Sequence, residues 1–547
     1  MSENKITRLK ATVSYKGSTQ QATVDITTHS VCDAYFAELL EDEKYIPNPN
    51  PINHEVKKGD RIDNLAKKYG VSKSEIVYAE SDKAIDPTNL KADEKLVIKK
   101  RKLLGKNANF NRLKQASLGQ EIYLIIETTD IRGETVKINI NQGKEEVIEP
   151  VDHSLNVLED GTEKWTFESV IGEFKYKYRD KDKNEIEYLN QDDYKDFAIV
   201  KVKLRPKLDT KLDSWVKKIK KNDAKKAYLY LYVEVDADLK VRYHSGGTEG
   251  GDKYRFGNQE GKWLAVNTCY CNRDITESEL TYIVTELRKK EIITPQKRQY
   301  APNRKDLLFI NDEGVKLVRK GNDGYYDLDN NFVQKEKPEE YRVDETRYTL
   351  IKLNLFKSKK SEKINSTVTF KSFAEELNKV FNTYEINTCI RKIHFLAQCY
   401  HETNRFVDTY EGKNAITDPR GGRHYLARGI MHMTHIDIYQ NFYMHLNGRK
   451  PTEKELKEFV PTIAKRLELA CVSAGFYWKY SGIYKEDKKG KPLIGDLSPI
   501  ADTDDVIEVS RGINGYVSEK KMNGLEERKK YTKDLKTIME YANCINK

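Results

Sequence analysis

At 547 residues, with 38% hydrophobic and 33% charged residues, the chain is too long for one hydrophobic core, which predicts about three to five globular units and excludes long disorder. Its 96 basic and 86 acidic residues leave a net charge of +10, but the signs are interspersed, so no basic stripe tracks a phosphate backbone and no nucleic-acid partner is predicted. The opening residues lack an apolar signal-peptide core and no stretch approaches 18 apolar residues, which predicts no membrane span. Seven cysteines are few and odd in number, so buried thiols are predicted rather than a disulfide framework. Cys269 and Cys271 form a lone C-x-C with no second pair, and neither a metal nor a cofactor is predicted from it.

In chain order, residues 1–50 read as an N-terminal β segment and linker. Ala11, Val13 and Tyr15, then Ala22, Val24 and Ile26, alternate about KGST as a pair of strands, and Pro47, Pro49 and Pro51 mark a stiff linker. Residues 51–100 read as a strand, two short amphipathic helices and a returning strand. Gly59-Asp60 makes the turn into the first helix, whose buried stripe is Leu65, Ala66 and Tyr69. Residues 101–267 alternate in runs such as EIYLIIE, TVKININ, FAIVKVKL and AYLYLYVEV, an antiparallel, sandwich-like β region. Residues 268–365 read as an adaptor, and 366–547 as a mostly α domain. There Phe373, Leu377, Val380 and Phe381 make one helical stripe, and Ile386, Cys389, Ile390, Ile393, Leu396, Ala397 and Tyr400 the next. The predicted class is therefore multidomain α+β.

One carboxyl stands out in the last domain. Glu402 closes a helix in HFLAQCYHETNRF, and neighbours Tyr400, His401 and Phe406 predict partial desolvation, a raised pKa and a protonated carboxyl near neutral pH. Glu411 follows on a loop, with Asp408 as the competing second acid. One carboxyl to protonate a leaving oxygen and one to activate water is what glycoside hydrolysis requires. His401 lacks the second histidine of an H-E-x-x-H zinc site.

Two resemblances extend this reading. Val56, Gly59, Asp60, Ile62, Leu65, Ala66, Tyr69, Gly70, Val71, Leu90, Leu96 and Ile98 resemble the LysM module, a βααβ unit, which implies GlcNAc-glycan binding at Gly59, Asp60, Arg61, Ile62, Pro87 and Asn89. In the last domain FLAQCYHET, YEGK, YLARGIMHMTHIDIY, ACVSAGFYW and VSRGINGYVSEKKMNGLEERKKY occur in the order seen in family-19 glycoside hydrolases, the chitinase and endolysin group with a lysozyme-like fold. That resemblance implies Glu402 as general acid and Glu411 as base, with inversion at the anomeric carbon and no metal. It implies a sugar groove lined or braced by His401, Tyr425, Arg428, His432, Thr434, Asn514 and Arg528. His432, His435 and Ile438 stand where the family commonly has Gln, Gly and Asn. Tyr425, Tyr477 and Trp478 are candidates to stack on sugars, with Trp478 assigned to the core by its helical spacing.

The function expected is hydrolysis of a GlcNAc-containing wall polysaccharide, peptidoglycan before chitin, as an antibacterial or lytic enzyme. Without a signal sequence, the expectation is synthesis in the cytoplasm and export to a cell wall or periplasm by a type VI-like or phage-like apparatus, with a spike protein and an immunity protein as partners. The alternative is a non-catalytic tail or spike component that docks on peptidoglycan.

Overall fold

The computed structural model describes the chain except residues 1–6, 16–17, 27–28, 48–49, 51, 58–59, 61, 63–64, 66–75, 79–94, 99–100, 181–183, 239, 246–253, 294–307, 311–315, 320–323, 328–330, 337–341, 344–354, 413–418, 487–491, 516 and 545–547. It is an α+β chain of two compact units. One comprises residues 1–115, 121–203 and 228–265, and the other 116–120, 204–227 and 266–547. None of its described helices is long and apolar enough to cross a membrane.

The first unit is built from strands β1 (Thr7–Tyr15), β2 (Ser18–Ile26), β3 (Ser30–Pro47), β4 (Ile52–Glu55), β5 (Ile76–Tyr78), β6 (Lys95–Ile98), β7 (Arg101–Arg112), β8 (Gln115–Ser117, at its boundary), β9 (Glu121–Thr129), β10 (Thr135–Gly143), β11 (Val157–Glu159), β12 (Thr162–Lys164), β13 (Phe167–Val170), β14 (Lys177–Arg179), β15 (Glu185–Glu187), β16 (Phe197–Lys203) and β17 (Ala227–Asp236). β1 and β2 pair as the hairpin that their alternation predicts. β9 lies between β16 and β3 in one sheet, and β10 lies between β13 and β17 in another. Alternation buries Ile122, Leu124, Ile126 and Val200 of the first sheet, and Val136, Ile138, Ile140 and Leu231 of the second. An aromatic cluster of Phe110, Tyr123, Phe174, Tyr176 and Tyr194 has ring centroids 5.0–6.3 Å apart, mostly edge to face.

Two expectations change here. β3 is not part of a separate N-terminal segment: it pairs with β9 and β7, so the stretch that includes Pro47 is the end of a strand, with Pro47 opposite Arg101. Residues 48–100 thus lie between two paired strands rather than after a linker. Within them, β6 lies between β4 and β5, and β5 is a third strand, not expected from the sequence, in which Ile76, Val77 and Tyr78 pair with Ile98, Val97 and Leu96. Val56, Ile62, Leu65, Ile76, Leu96 and Ile98 form the core of this module.

In the second unit the helices are α1 (Asp209–Lys221), α2 (Glu277–Ile293), α3 (Phe370–Thr383), α4 (Cys389–Glu402), α5 (Ile436–Asn447), α6 (Glu453–Lys465), α7 (Leu467–Tyr480), α8 (Ser498–Asp502), α9 (Val506–Asn514) and α10 (Leu525–Ile538). Local chemistry starts several of them. Thr369 and Ser372 form a capping box on α3, Thr388 accepts the Arg391 N–H at the start of α4, and Thr452 and Glu455 cap α6. The residues 268–365 are not one adaptor. Cys269–Leu287, Leu355, Phe356 and Ile364 join the main helical core, while Leu308–Val343 contributes a separate five-stranded sheet. A disulfide links Cys269 to Cys544, because two positions 275 residues apart in sequence meet in the fold with Cα atoms 5.2 Å apart, while four of the other five cysteines are buried free thiols, as expected of most of them.

Candidate active site

α4 ends on Glu402, and the next turn is unusual. Asn404, Arg405 and Phe406 all have positive φ, 48°, 70° and 59°, a left-handed path that costs roughly 1–3 kcal/mol per non-glycine residue. Several bonds hold it. The Thr403 hydroxyl accepts the Phe406 N–H at 2.9 Å, Asp408 N–H donates to the Thr403 carbonyl at 2.8 Å, and Arg288 donates to the Arg405 carbonyl at 2.7 Å. The turn reverses the chain so that Glu411, whose N–H donates to the Ala427 carbonyl at 3.1 Å, faces the same cleft as Glu402.

The cleft measures about 360 Å³ and is lined by both glutamates, by Arg420, Ala427, Met431, His432, Thr434, His435 and Ile438, and by Tyr477, Ile513, Asn514, Gly515 and Asn523. Of the residues expected in the sugar groove, His432, Thr434 and Asn514 line it. His401, Tyr425, Arg428 and Arg528 are not among the lining residues, and each is committed elsewhere.

Arg528, 1% exposed at its side chain, lies behind Glu402. It donates to one Glu402 oxygen, to Gln398 Oε1 and, at 3.2 Å, to the Asn523 carbonyl. His432 Nδ1 is 3.6 Å from the other Glu402 oxygen, and its buried Nε2 has no partner among the described residues. Burial pushes the Glu402 pKa up, but the Arg528 guanidinium and the His432 contact outweigh it and hold the carboxyl at about 2. This corrects the expected raised pKa. Of the neighbours named in sequence, Tyr400 turns into the core against Phe406 and Tyr531, with ring centroids 5.4 and 4.9 Å away.

His401 turns toward α10, with Nδ1 3.4 Å from Glu527. A Cβ on Gly524, which has φ +64°, would stand 2.0 Å from the imidazole, so the Asn-Gly-Leu sequence leaves room for this ring. Burial and then Arg528 lower the His401 pKa to about 4, so it is neutral at neutral pH. Arg428, 2% exposed, makes paired bonds of 2.6 and 2.7 Å to Glu362 and donates to the His424 and Leu426 carbonyls. Its backbone bridges to Tyr410 and Met433, so it fixes the wall that carries Glu411 and His432. Tyr425 is buried at 2% exposure. Trp478 is wholly buried against Phe395 and donates to Ser498, as its spacing predicts.

Asp408, the competing second acid, accepts a 2.5 Å bond from Ser358 and pairs with Lys360 at 3.1 Å, away from the cleft lining. Glu362 and Gln398 were missed as partners. Gln398 lies inside the quoted FLAQCYHET motif, whereas nothing local marks Glu362, 66 residues from Arg428. Arg420, which pairs with Asp437 at 2.8 Å, lines the cleft without any sequence signal.

In the 48–100 module, Asp60 accepts the Lys57 N–H at 2.9 Å and lies 2.9 Å from His54 Nε2. Ile62 is 4% exposed and belongs to the module core, not to an open groove. The other residues expected to bind glycan, Gly59, Arg61, Pro87 and Asn89, lie outside the described residues. Among the described residues, one cluster has metal-ligand character, Cys269, Cys271 and Cys544, and it is separate from this cleft. No family model, curated protein or solved structure matches the chain.

Proposed function

We propose that the second unit is a lysozyme-like glycoside hydrolase that cuts a GlcNAc-containing wall polysaccharide, peptidoglycan before chitin, by general acid and base catalysis. The observation that carries the reading is the convergence of Glu402 and Glu411, from opposite ends of a strained turn, on one cleft lined by His432, Thr434 and Asn514. In this reading Glu402 donates to the leaving glycosidic oxygen and Glu411 activates water, with carboxyl groups roughly 6.5–9.5 Å apart and inversion at the anomeric carbon. Arg528 is a positioning residue. It holds Glu402 ionised in the free protein, and a sugar seated over the carboxylate removes water and draws its pKa toward the proton-carrying form. His432 offers a buried ring nitrogen for an N-acetyl or lactyl oxygen.

The 48–100 module, read as LysM-like, holds the polymer near the cleft and raises its effective concentration. The chain then acts as an antibacterial or lytic effector, exported to a wall or periplasm with a spike protein as carrier and an immunity protein as its antagonist.

A second reading, a non-catalytic tail or spike component that docks on peptidoglycan, draws on one observation: Glu402 is an ion, not an acid, in the free protein. The test incubates purified protein with peptidoglycan and with chitin oligomers and identifies products by mass spectrometry. New reducing-end fragments establish hydrolysis, and their masses name the bond. Peptidoglycan pulled down intact, with no fragments from either polymer, establishes docking instead.

A further inference from the structure

We propose that Cys269, Cys271 and Cys544 form a soft-cation site in which the reduced chain holds one zinc ion, and that the Cys269–Cys544 disulfide is the oxidised form of the same cluster. The three sulphurs lie within 4.8 Å of one another and all three residues are buried. Cys271 Sγ is 3.4 Å from Cys269 Sγ and 3.7 Å from Cys544 Sγ. A tetrahedral ion with metal–sulphur bonds of about 2.3 Å sets its ligand sulphurs about 3.8 Å apart, so Cys271 already stands at ligand spacing from both partners.

Polar and cationic groups surround the cluster. The Cys389 N–H donates to Cys271 Sγ at 3.1 Å. Burial raises the Cys271 pKa, and the Cys389 N–H, the buried Lys392, tied to the Tyr270 and Arg273 carbonyls at 2.7 and 2.5 Å, and the Arg273 guanidinium oppose that rise without cancelling it. Three thiolates and a divalent ion carry one net negative charge, which a buried lysine offsets. The Cys389 N–H orients the Cys271 sulphur as a ligand and tunes its basicity.

The placement gives the site a task. Cys544 follows α10, which carries Arg528, and Cys389 opens α4, which ends on Glu402. The cluster ties the far ends of the two helices whose side chains Glu402 and Arg528 pair behind the cleft. Exchange between its two forms balances with a small-molecule disulfide as oxidant. The thiolates of Cys269 and Cys544 lose two electrons as their S–S bond forms, the oxidant leaves as two thiolates, and the zinc ion is released unchanged in charge.

The test reduces full-length protein with a phosphine under argon and titrates it with cobalt(II), with zinc(II) as competitor. The expected result is saturation at one cobalt per chain, with intense thiolate-to-cobalt absorption in the near ultraviolet that zinc abolishes. Unreduced protein and Cys271→Ser, which keeps the disulfide pair, lose that absorption, whereas Cys32→Ser retains it. Far-ultraviolet circular dichroism follows folding in each sample. Reduced wild type that keeps its helical signal without the absorption overturns the site, as does equal absorption in folded Cys271→Ser. A chain that unfolds on reduction supports the site if zinc restores its helicity and overturns it if zinc does not.

Discussion

The two units treat buried charge in opposite ways. In the β unit the described interior is aliphatic and aromatic, and its buried polar residues are neutral, such as Ser169, Asn141 and Gln142. In the helical unit Arg273 and Glu279, Lys392, Asp408, Arg428 and Arg528 are all buried, and each has a partner. Desolvating such ions costs several kcal/mol apiece, and their pairing offsets that cost without adding much stability. Stability alone does not call for them. Arg428 and Arg528 stand behind the walls that carry Glu411 and Glu402, so in this unit buried charge fixes where the two carboxylates sit and, at Glu402, which proton state it holds.

The comparison is broken most severely by Arg528→Met, which strands Glu402 as a largely buried, uncompensated carboxylate. It is expected to cost about 3–5 kcal/mol in urea denaturation. Adding Glu402→Gln to it recovers part of that loss, because no charge is then left unpaired. In the β unit, Phe167→Ala removes a wholly buried ring and costs about 3 kcal/mol by the same measurement. Hydrolysis at temperatures where this variant remains folded is expected to match the wild type. Loss of hydrolysis with the fold intact erases the division of labour between the units.

A smaller effect sharpens the account through pH. The folded Glu402 pKa of about 2 lies below its unfolded value of about 4.3, so its stabilising contribution is complete above the unfolded pKa and is lost as pH falls through the folded one. Urea midpoints measured from pH 5 down to pH 2 are expected to fall more steeply for wild type than for Glu402→Gln. Parallel curves contradict the ion pair.

What the sequence made legible was local. Thr369 and Thr388 start helices by hydrogen bonds within three residues, and Phe373, Leu377 and Val380 form the stripe that buries α3. Glu402, Glu411, His432, Thr434 and Asn514, each singled out in the sequence, line one cleft. What it concealed is set by partners distant along the chain. Whether Arg428 lines or braces the groove is open until Glu362 occupies its guanidinium, and the C-x-C at Cys269 reads as isolated until the fold brings Cys544 to it. The Glu402 pKa was misread for the same reason. Its adjacent residues argue for desolvation, while the charge that decides the outcome arrives from α10, 126 positions later. β5 was hidden because a three-residue run, Ile76–Tyr78, carries too few positions to separate a strand from a helix, and pairing with β6 decides it.

The most direct test of the central claim compares reducing ends released from peptidoglycan by wild type and by Glu402→Gln at equal folded concentration. The account predicts a loss of roughly 100-fold or more in the variant, the scale of a general acid's contribution, with peptidoglycan binding unchanged. Equal release by both proteins contradicts Glu402 as the proton donor.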